Sequence, residues 1–249
     1  MKVSDFFQGV REISVGGPKV AFRFEIFGIT INLTETIIVS WLVMAGLIAL
    51  VLFLTHNMTV KPTRKRQVIA EFLVEIVDNQ VLSAMGKEYK WFAPYIGALF
   101  ASSIFGSLIG LVGLRPVTAD FSTVLTWALM TFVLIERAKI KSDGIGGYLK
   151  SFINPLNIIS EISTPVSMAF RHFGNIASGI VITTLVYGAL ASLSKLILGF
   201  IPNDFISSIP IFQVGLPAIL SIYFDLFTSF LQAYIFSMLT MTYVASVAE

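Results

Sequence analysis

The 249-residue sequence has no cysteine. It can form neither a disulfide nor a thiolate metal site, and cysteine usage leaves the redox compartment open. Histidine is nearly absent as well: His56 and His172 are too few for a cluster, so no metal site is expected. Charged residues make up only 13% of the chain against 55% hydrophobic residues, and the mean hydropathy is +0.83. That balance excludes an ordinary soluble domain and places the chain in a bilayer. A formal net charge of +2, spread over short segments, gives no electrostatic case for a nucleic-acid partner. The motifs His-Glu-x-x-His, Gly-x-Ser-x-Gly and Gly-x-x-x-x-Gly-Lys are missing, which argues against an intramembrane enzyme or a nucleotide-binding chain. No internal repeat appears, and a secondary transporter would usually show one. The first 30 residues mix Lys2, Asp5, Arg11, Glu12, Lys19, Arg23 and Glu25 with apolar residues, so the first apolar span is expected to be retained as an anchor.

What is present is a series of long apolar runs, read as an all-α integral membrane protein with one membrane domain over residues 1–249. About 20 apolar residues cross the hydrocarbon core. Five crossing segments are expected near residues 36–54, 94–114, 121–135, 155–200 and 211–246. Lys61, Arg64, Lys65 and Arg66 after the first span predict a cytoplasmic loop, hence an outside N-terminus and a cytoplasmic C-terminus. Residues 66–83 set Val68, Ile69, Phe72, Leu73, Ile76 and Val77 against Gln67, Glu71, Glu75 and Asp78, the pattern of an amphipathic interfacial helix. Gly106 and Gly110 have the spacing of close helix packing. The third span ends in Glu136, Arg137, Lys139 and Lys141, followed by a Gly144-Ile-Gly-Gly147 turn and Lys150 in a cytoplasmic loop. The 48 residues from Pro155 to Pro202 would extend about 70 Å as one helix, more than twice the hydrocarbon thickness. Either the last two segments are long and steeply tilted as a hairpin, or each includes a surface piece before a normal span.

One charge stands out. Arg171 lies inside an apolar stretch, between Met168, Ala169, Phe170 and Phe173, Ile176, Ile180. A guanidinium at mid-bilayer costs about 3 to over 10 kcal/mol, so it faces a partner or a wet cavity. An internal ion pair with Asp225 or Glu161 is the structural alternative. Thr164, Ser167, Arg171, Gly174, Asn175 and Ser178 recur at three- and four-residue steps, and so do Asp225, Thr228, Ser229 and Gln232 on the last segment. Two facing polar stripes suggest an aqueous path. The expected topology puts Glu161 near the inner face and Asp120 and Asp225 toward the outer face, with Arg171 between them as a barrier. A purely structural scaffold would give no reason to bury Arg171.

Asn154-Pro-Leu-Asn157, Glu161, Phe170-Arg-His-Phe-Gly-Asn175 and Leu231-Gln-Ala-Tyr-Ile-Phe236 resemble subunit a of bacterial ATP synthases, as do Thr118-Ala-Asp120 and Gly146-Gly-Tyr-Leu-Lys150. The resemblance covers most of the chain and is loosest before the first span. It implies a non-catalytic stator subunit with two offset half-channels, coupling flow of a proton or a sodium ion to rotation of a c-subunit ring. The implied partners are that ring, the b-subunit peripheral stalk, the other ATP synthase subunits and membrane lipid. No cofactor is implied, and the implied location is the bacterial plasma membrane. The family's arginine falls on Arg171, its glutamine on Gln232, its asparagine on Asn175 and its inner-side carboxylate on Glu161. Gly174, Ala177, Ser178 and Gly179 would let the ring pass closely. The sequence departs from many relatives at Ile180, where they carry an acidic residue, and at His172, where leucine is common. Asp225 is the candidate to replace the missing carboxylate. Ser178 and His172 are candidate relay groups, with a packed or lipid-facing role as the alternative for His172.

Overall fold

The computed structural model describes residues 18–26, 29–60, 64–151, 153–198 and 215–248. Alternation of Val20, Phe22 and Phe24 with Ala21, Arg23 and Glu25 is a strand pattern. Accordingly Val20–Ile26 (β1) pairs antiparallel with Ile29–Thr34 (β2). The sequence reading did not anticipate this hairpin. The Glu35 amide donates to the Lys19 carbonyl at 2.8 Å, which ties the hairpin to the first helix.

Among the described residues the chain after the hairpin is mostly helical. The elements are α1 (Glu35–Thr55), α2 (Lys65–Met85), α3 (Ala93–Leu108), α4 (Phe121–Ser151), α5 (Pro155–Leu198), α6 (Leu216–Ser221) and α7 (Thr228–Ala248). Short 3-10 turns at Lys87–Phe92, Ile109–Val112 and Val117–Ala119 flank α3, and a π-helical turn, Ile222–Phe227, joins α6 to α7. Among the described residues five helical stretches are long and apolar enough to cross a membrane: Glu35–Thr55, Lys87–Val112, Phe121–Lys150, Pro155–Ser194 and Ile219–Val247. Such helices satisfy their own backbone groups in lipid.

The bundle packs in layers. At one end Val81 and Met85 of α2 meet Phe92 of the following 3-10 turn, Ile96 of α3, Ile135 of α4, and Met241 and Val244 of α7. The next layer joins Leu99, Val124, Ala128, Met168, Ala169 and Phe236. α2 is a helix over the expected segment, and only its C-terminal end enters this core. Val68, Ile69, Phe72, Leu73 and Ile76 are exposed, while Glu71, Glu75 and Asp78 line a cavity with Lys90. An outward apolar face of this kind fits a helix lying on a membrane surface. Gln67 anchors its start, donating to the Thr59 carbonyl at 2.6 Å and to Glu71 at 2.7 Å.

Three local expectations are revised. The segment over 144–147 is not a simple loop: α4 continues through it, broken only at Gly144, whose φ of 70° and ψ of 166° leave the helical region. Gly106 of α3 and Gly110 of the 3-10 turn after it stand nearer to a turn than to a neighbouring helix. They admit the turn that follows, since a Cβ on Gly110 would stand 2.9 Å from Pro116 Cγ and one on Gly106 would stand 3.5 Å from Val117 Cβ. α5 is one continuous helix of 44 residues, about 66 Å long, with Pro165 inside it, so no break separates a surface piece from a spanning piece. The turn between the last two segments, with Pro202 and Pro210, lies outside the described residues.

Gly110→Ala is expected to destabilise the chain by about 1–3 kcal/mol, because the new methyl overlaps a rigid proline ring. The check is the thermal unfolding midpoint of the detergent-solubilised protein, with Gly46→Ala, which meets open space, as the comparison.

Candidate functional site

α5 divides into two faces. Met168, Ala169, His172, Ile176 and Gly179 are buried, whereas Ser167, Arg171 and Ser178 are exposed and Gly174 opens onto free space. Steps of three and four residues put each set on one side of the helix. Among the described residues Arg171 makes no ion pair and no hydrogen bond. The two acidic groups that could have neutralised it are engaged elsewhere. Glu161 Oε1 lies 2.6 Å from Lys139 Nζ, and Asp225 Oδ2 accepts from Ser221 Oγ at 2.7 Å. The structural alternative for the arginine is therefore not what the chain adopts: its charge points outward and unpaired. Gly179 is revised as well. It faces the last helical segment, where an added Cβ would stand 3.4 Å from Phe224 Cβ, and so does not belong to the open stripe of small residues.

The same contact sets the register of the two long segments. Gly179 lies against Phe224, and the His172 and Phe236 rings meet edge-on at 5.6 Å. Between these anchors Gln232 falls level with Arg171 to Ile176, and Asp225 falls level with Gly179 and Ile180. Gln232 is 4% exposed and Ser229 is 2% exposed, while Asp225 and Thr228 are half-buried. The expected single stripe on the last segment is therefore split. The π turn before Thr228, in which the Thr228 amide donates to the Tyr223 carbonyl five residues back, rotates Asp225 relative to the residues of α7.

Asp120 ends a 3-10 turn and starts α4, where its Oδ1 accepts from the Ser122 amide at 3.1 Å. Next to it, the Phe121 ring packs on Phe170 at 4.9 Å and on Phe173 at 5.5 Å. The start of α4 thus lies beside the turn that carries the arginine. Asp120 also lines a cavity of about 540 Å³ together with Thr36, Ser40, Ser102, Thr123 and Trp127. Behind Trp127 sits His172, 1% exposed, with Nε2 3.4 Å from Ser103 Oγ and its ring edge-on to Trp127 at 6.2 Å. His172 is thus packed inside the bundle and does not face lipid. Ser178 Oγ donates to the Asn175 carbonyl at 3.2 Å, and Asn175 is half-buried beside the open face.

At the other end of the site, Lys139 bridges Glu161 of α5 and Glu136 of its own helix, the second at 3.4 Å. Sequence reasoning took Lys139 only as a marker of the inner face and did not single out Ser103 at all. The signal for Ser103 was its place in a polar pair, Ser102-Ser103, within an apolar span. For Lys139 no local signal existed, because its partner lies 22 residues away on another helix.

Comparison with known proteins bears on this geometry. A family model described as ATP synthase A chain matches residues 37–245. The chain is 36% identical over 227 residues to ATP synthase subunit a 1 of Crocosphaera subtropica, covering 87% of each protein. It is 31% identical to ATP synthase subunit a of Desulforamulus reducens, covering 90% of this chain and 83% of that protein. It is 28% identical to a Propionigenium modestum protein named ATP synthase subunit a, sodium ion specific, covering 85% of this chain and 73% of that one.

Proposed function

The chain belongs to the ATP synthase A chain family, a non-catalytic, ion-translocating subunit of the membrane sector, and from that premise we propose that its open α5 face meets a ring of c subunits with Arg171 as the coupling charge. The observation that carries this reading is the unpaired, outward guanidinium on a helix face of small and polar residues. An arginine stays charged at any physiological pH and binds carboxylates in a planar fork. A ring carboxylate arriving beside it is drawn into its ionised form and releases its ion. The same fixed charge repels a cation that would otherwise run straight through.

Two half-routes meet at this barrier. The outer one uses the cavity at Asp120 and the carboxylate of Asp225, which stands level with Ile180 and so supplies at that depth what many relatives place on α5. The inner one uses Glu161. Gln232 and Asn175 line the arginine's own level, Ser178 borders the open face, and His172 is a relay candidate behind it through Ser103. Either a proton or a sodium ion suits these oxygen-bearing groups, and one relative is named sodium ion specific. The b-subunit stalk, lipid and the remaining subunits surround the exposed faces of α1 and α2, and the bacterial plasma membrane is the setting. With α5 about 66 Å long, a steep tilt brings it within the hydrocarbon thickness. The N-terminus lies outside and the C-terminus in the cytoplasm.

Because the chain has no cysteine, single cysteines report contacts without background. In the full complex Ser178→Cys is expected to cross-link to a cysteine placed beside the ring carboxylate, and Ala169→Cys, fully buried in the bundle, is not. Cross-linking at position 169 but not at 178 would overturn the assignment of the ring-facing side.

A further inference from the structure

We infer that Lys139 is a positioning residue of the inner route: its ammonium is the resident counter-charge that the transported cation must displace from Glu161. The inference rests on the reading of Glu161 as the inner-side carboxylate and adds a residue that the family motifs do not mark. Lys139 Nζ lies 2.6 Å from Glu161 Oε1 and 3.4 Å from Glu136 Oε1. The side chains are only 20%, 12% and 11% exposed for Lys139, Glu161 and Glu136, so the group is largely withdrawn from water. Electrostatic attraction is correspondingly stronger there than at an open surface.

The charges do not balance. Two carboxylates face one ammonium, and Glu136 Oε2 is buried with no hydrogen-bond partner. The Tyr148 hydroxyl, from the part of α4 beyond the Gly144 break, also stands at the cluster and hydrogen-bonds Glu136. The excess negative charge favours entry of one more cation. The oxygen best placed to receive it, Glu161 Oε1, is already held by Lys139. A lysine is suited to give way, because its charge sits at the tip of a flexible four-carbon stem and Glu136 offers it a second seat three residues back on the same helix. In this scheme an ion approaching Glu161 shifts Lys139 toward Glu136, and the ammonium returns when the ion leaves. The ammonium therefore keeps the inner route from holding its ion too tightly, as conduction requires binding that is weak enough to end.

The test uses the full complex in inverted vesicles, with flux normalised to assembled complex. ATP-driven uptake is measured against the concentration of the transported cation on the side from which pumping draws it, for wild type, Lys139→Met and Lys139→Arg. Lys139→Met is expected to lower the half-saturating concentration about tenfold. It should also slow ATP synthesis, where the same route has to release the ion. Lys139→Arg, which keeps the charge, should restore both values toward wild type. A merely structural bridge would change the amount of complex without moving the half-saturating concentration, and that result overturns the inference. Should Lys139→Met leave too little complex, Lys139→Gln removes the charge while keeping a polar side chain and is read in the same way. Glu161→Gln separates the two levels of the argument. Normal pumping in that variant removes the inner-carboxylate reading itself, whereas impaired pumping there with an unmoved half-saturation in Lys139→Met removes only the role of Lys139.

Discussion

Arg171→Ala is expected to abolish coupled ion pumping, lowering ATP-driven uptake by about two orders of magnitude or more at equal assembly. Removing one member of a desolvated charge pair costs about 2–5 kcal/mol, and a barrier change of that size is worth at least a factor of tens to thousands in rate. The guanidinium has no partner among the described residues, so its loss strands no described acid, and the complex should assemble. A passive leak under an imposed gradient is expected alongside the loss of pumping, because the fixed cation proposed to separate the two routes is gone. Arg171→Lys keeps the charge but not the planar fork and should fall between wild type and alanine. Normal coupled pumping in Arg171→Ala would reduce the residue to an exposed structural charge and end the coupling reading.

Asp225→Asn should produce the second largest effect, a fall of about tenfold or more in ATP-driven pumping, because it removes the carboxylate of the proposed outer half-route at the level where α5 offers only Ile180. The contact between Gly179 and Phe224 adds a sharper form of the prediction. Position 180 stands at the same depth as Asp225, so a carboxylate moved across should serve. In the double variant Asp225→Asn with Ile180→Glu, pumping is expected to recover in part. Unchanged pumping in Asp225→Asn alone would mean that the ion reaches the arginine by the Asp120 cavity without this group.

Much of this was legible in the residues. The spans follow from hydropathy and length, since a run such as 36–54 has no charge to place anywhere but in lipid. Arg171 declared itself by being costly where it stands, and of the residues at three- and four-residue steps around it Ser167 and Ser178 are exposed with it while Thr164 and Asn175 are half-buried. What could not be read was anything that depends on a partner from another helix. The Lys139 bridge to Glu161 and the Ser103 contact to His172 join residues 22 and 69 positions apart. Periodicity also fails where the helix does not keep its period. The stripe of Asp225, Thr228, Ser229 and Gln232 presumes 3.6 residues per turn, and the π turn over Ile222–Phe227 breaks that count. Gly106 and Gly110 had the right spacing for helix contact but pack first on the turn at Pro116 and Val117, because a spacing names a groove without naming what fills it. The β-hairpin was missed for a different reason: its charges drew attention to what the segment could not be, a leader, and away from its two-residue alternation.

The outward arginine has a consequence for the life of the subunit before it ever works. A free chain in the membrane carries an unneutralised guanidinium on a face of α5, at a cost of about 3 kcal/mol or more. On the ring-contact reading, docking removes that cost. The orphaned subunit is then the least comfortable form of the protein and the natural target of membrane proteolysis, since quality control acts on whatever stays unsettled. The charge that times ion release would thereby also time assembly, marking for disposal any copy that fails to find its ring.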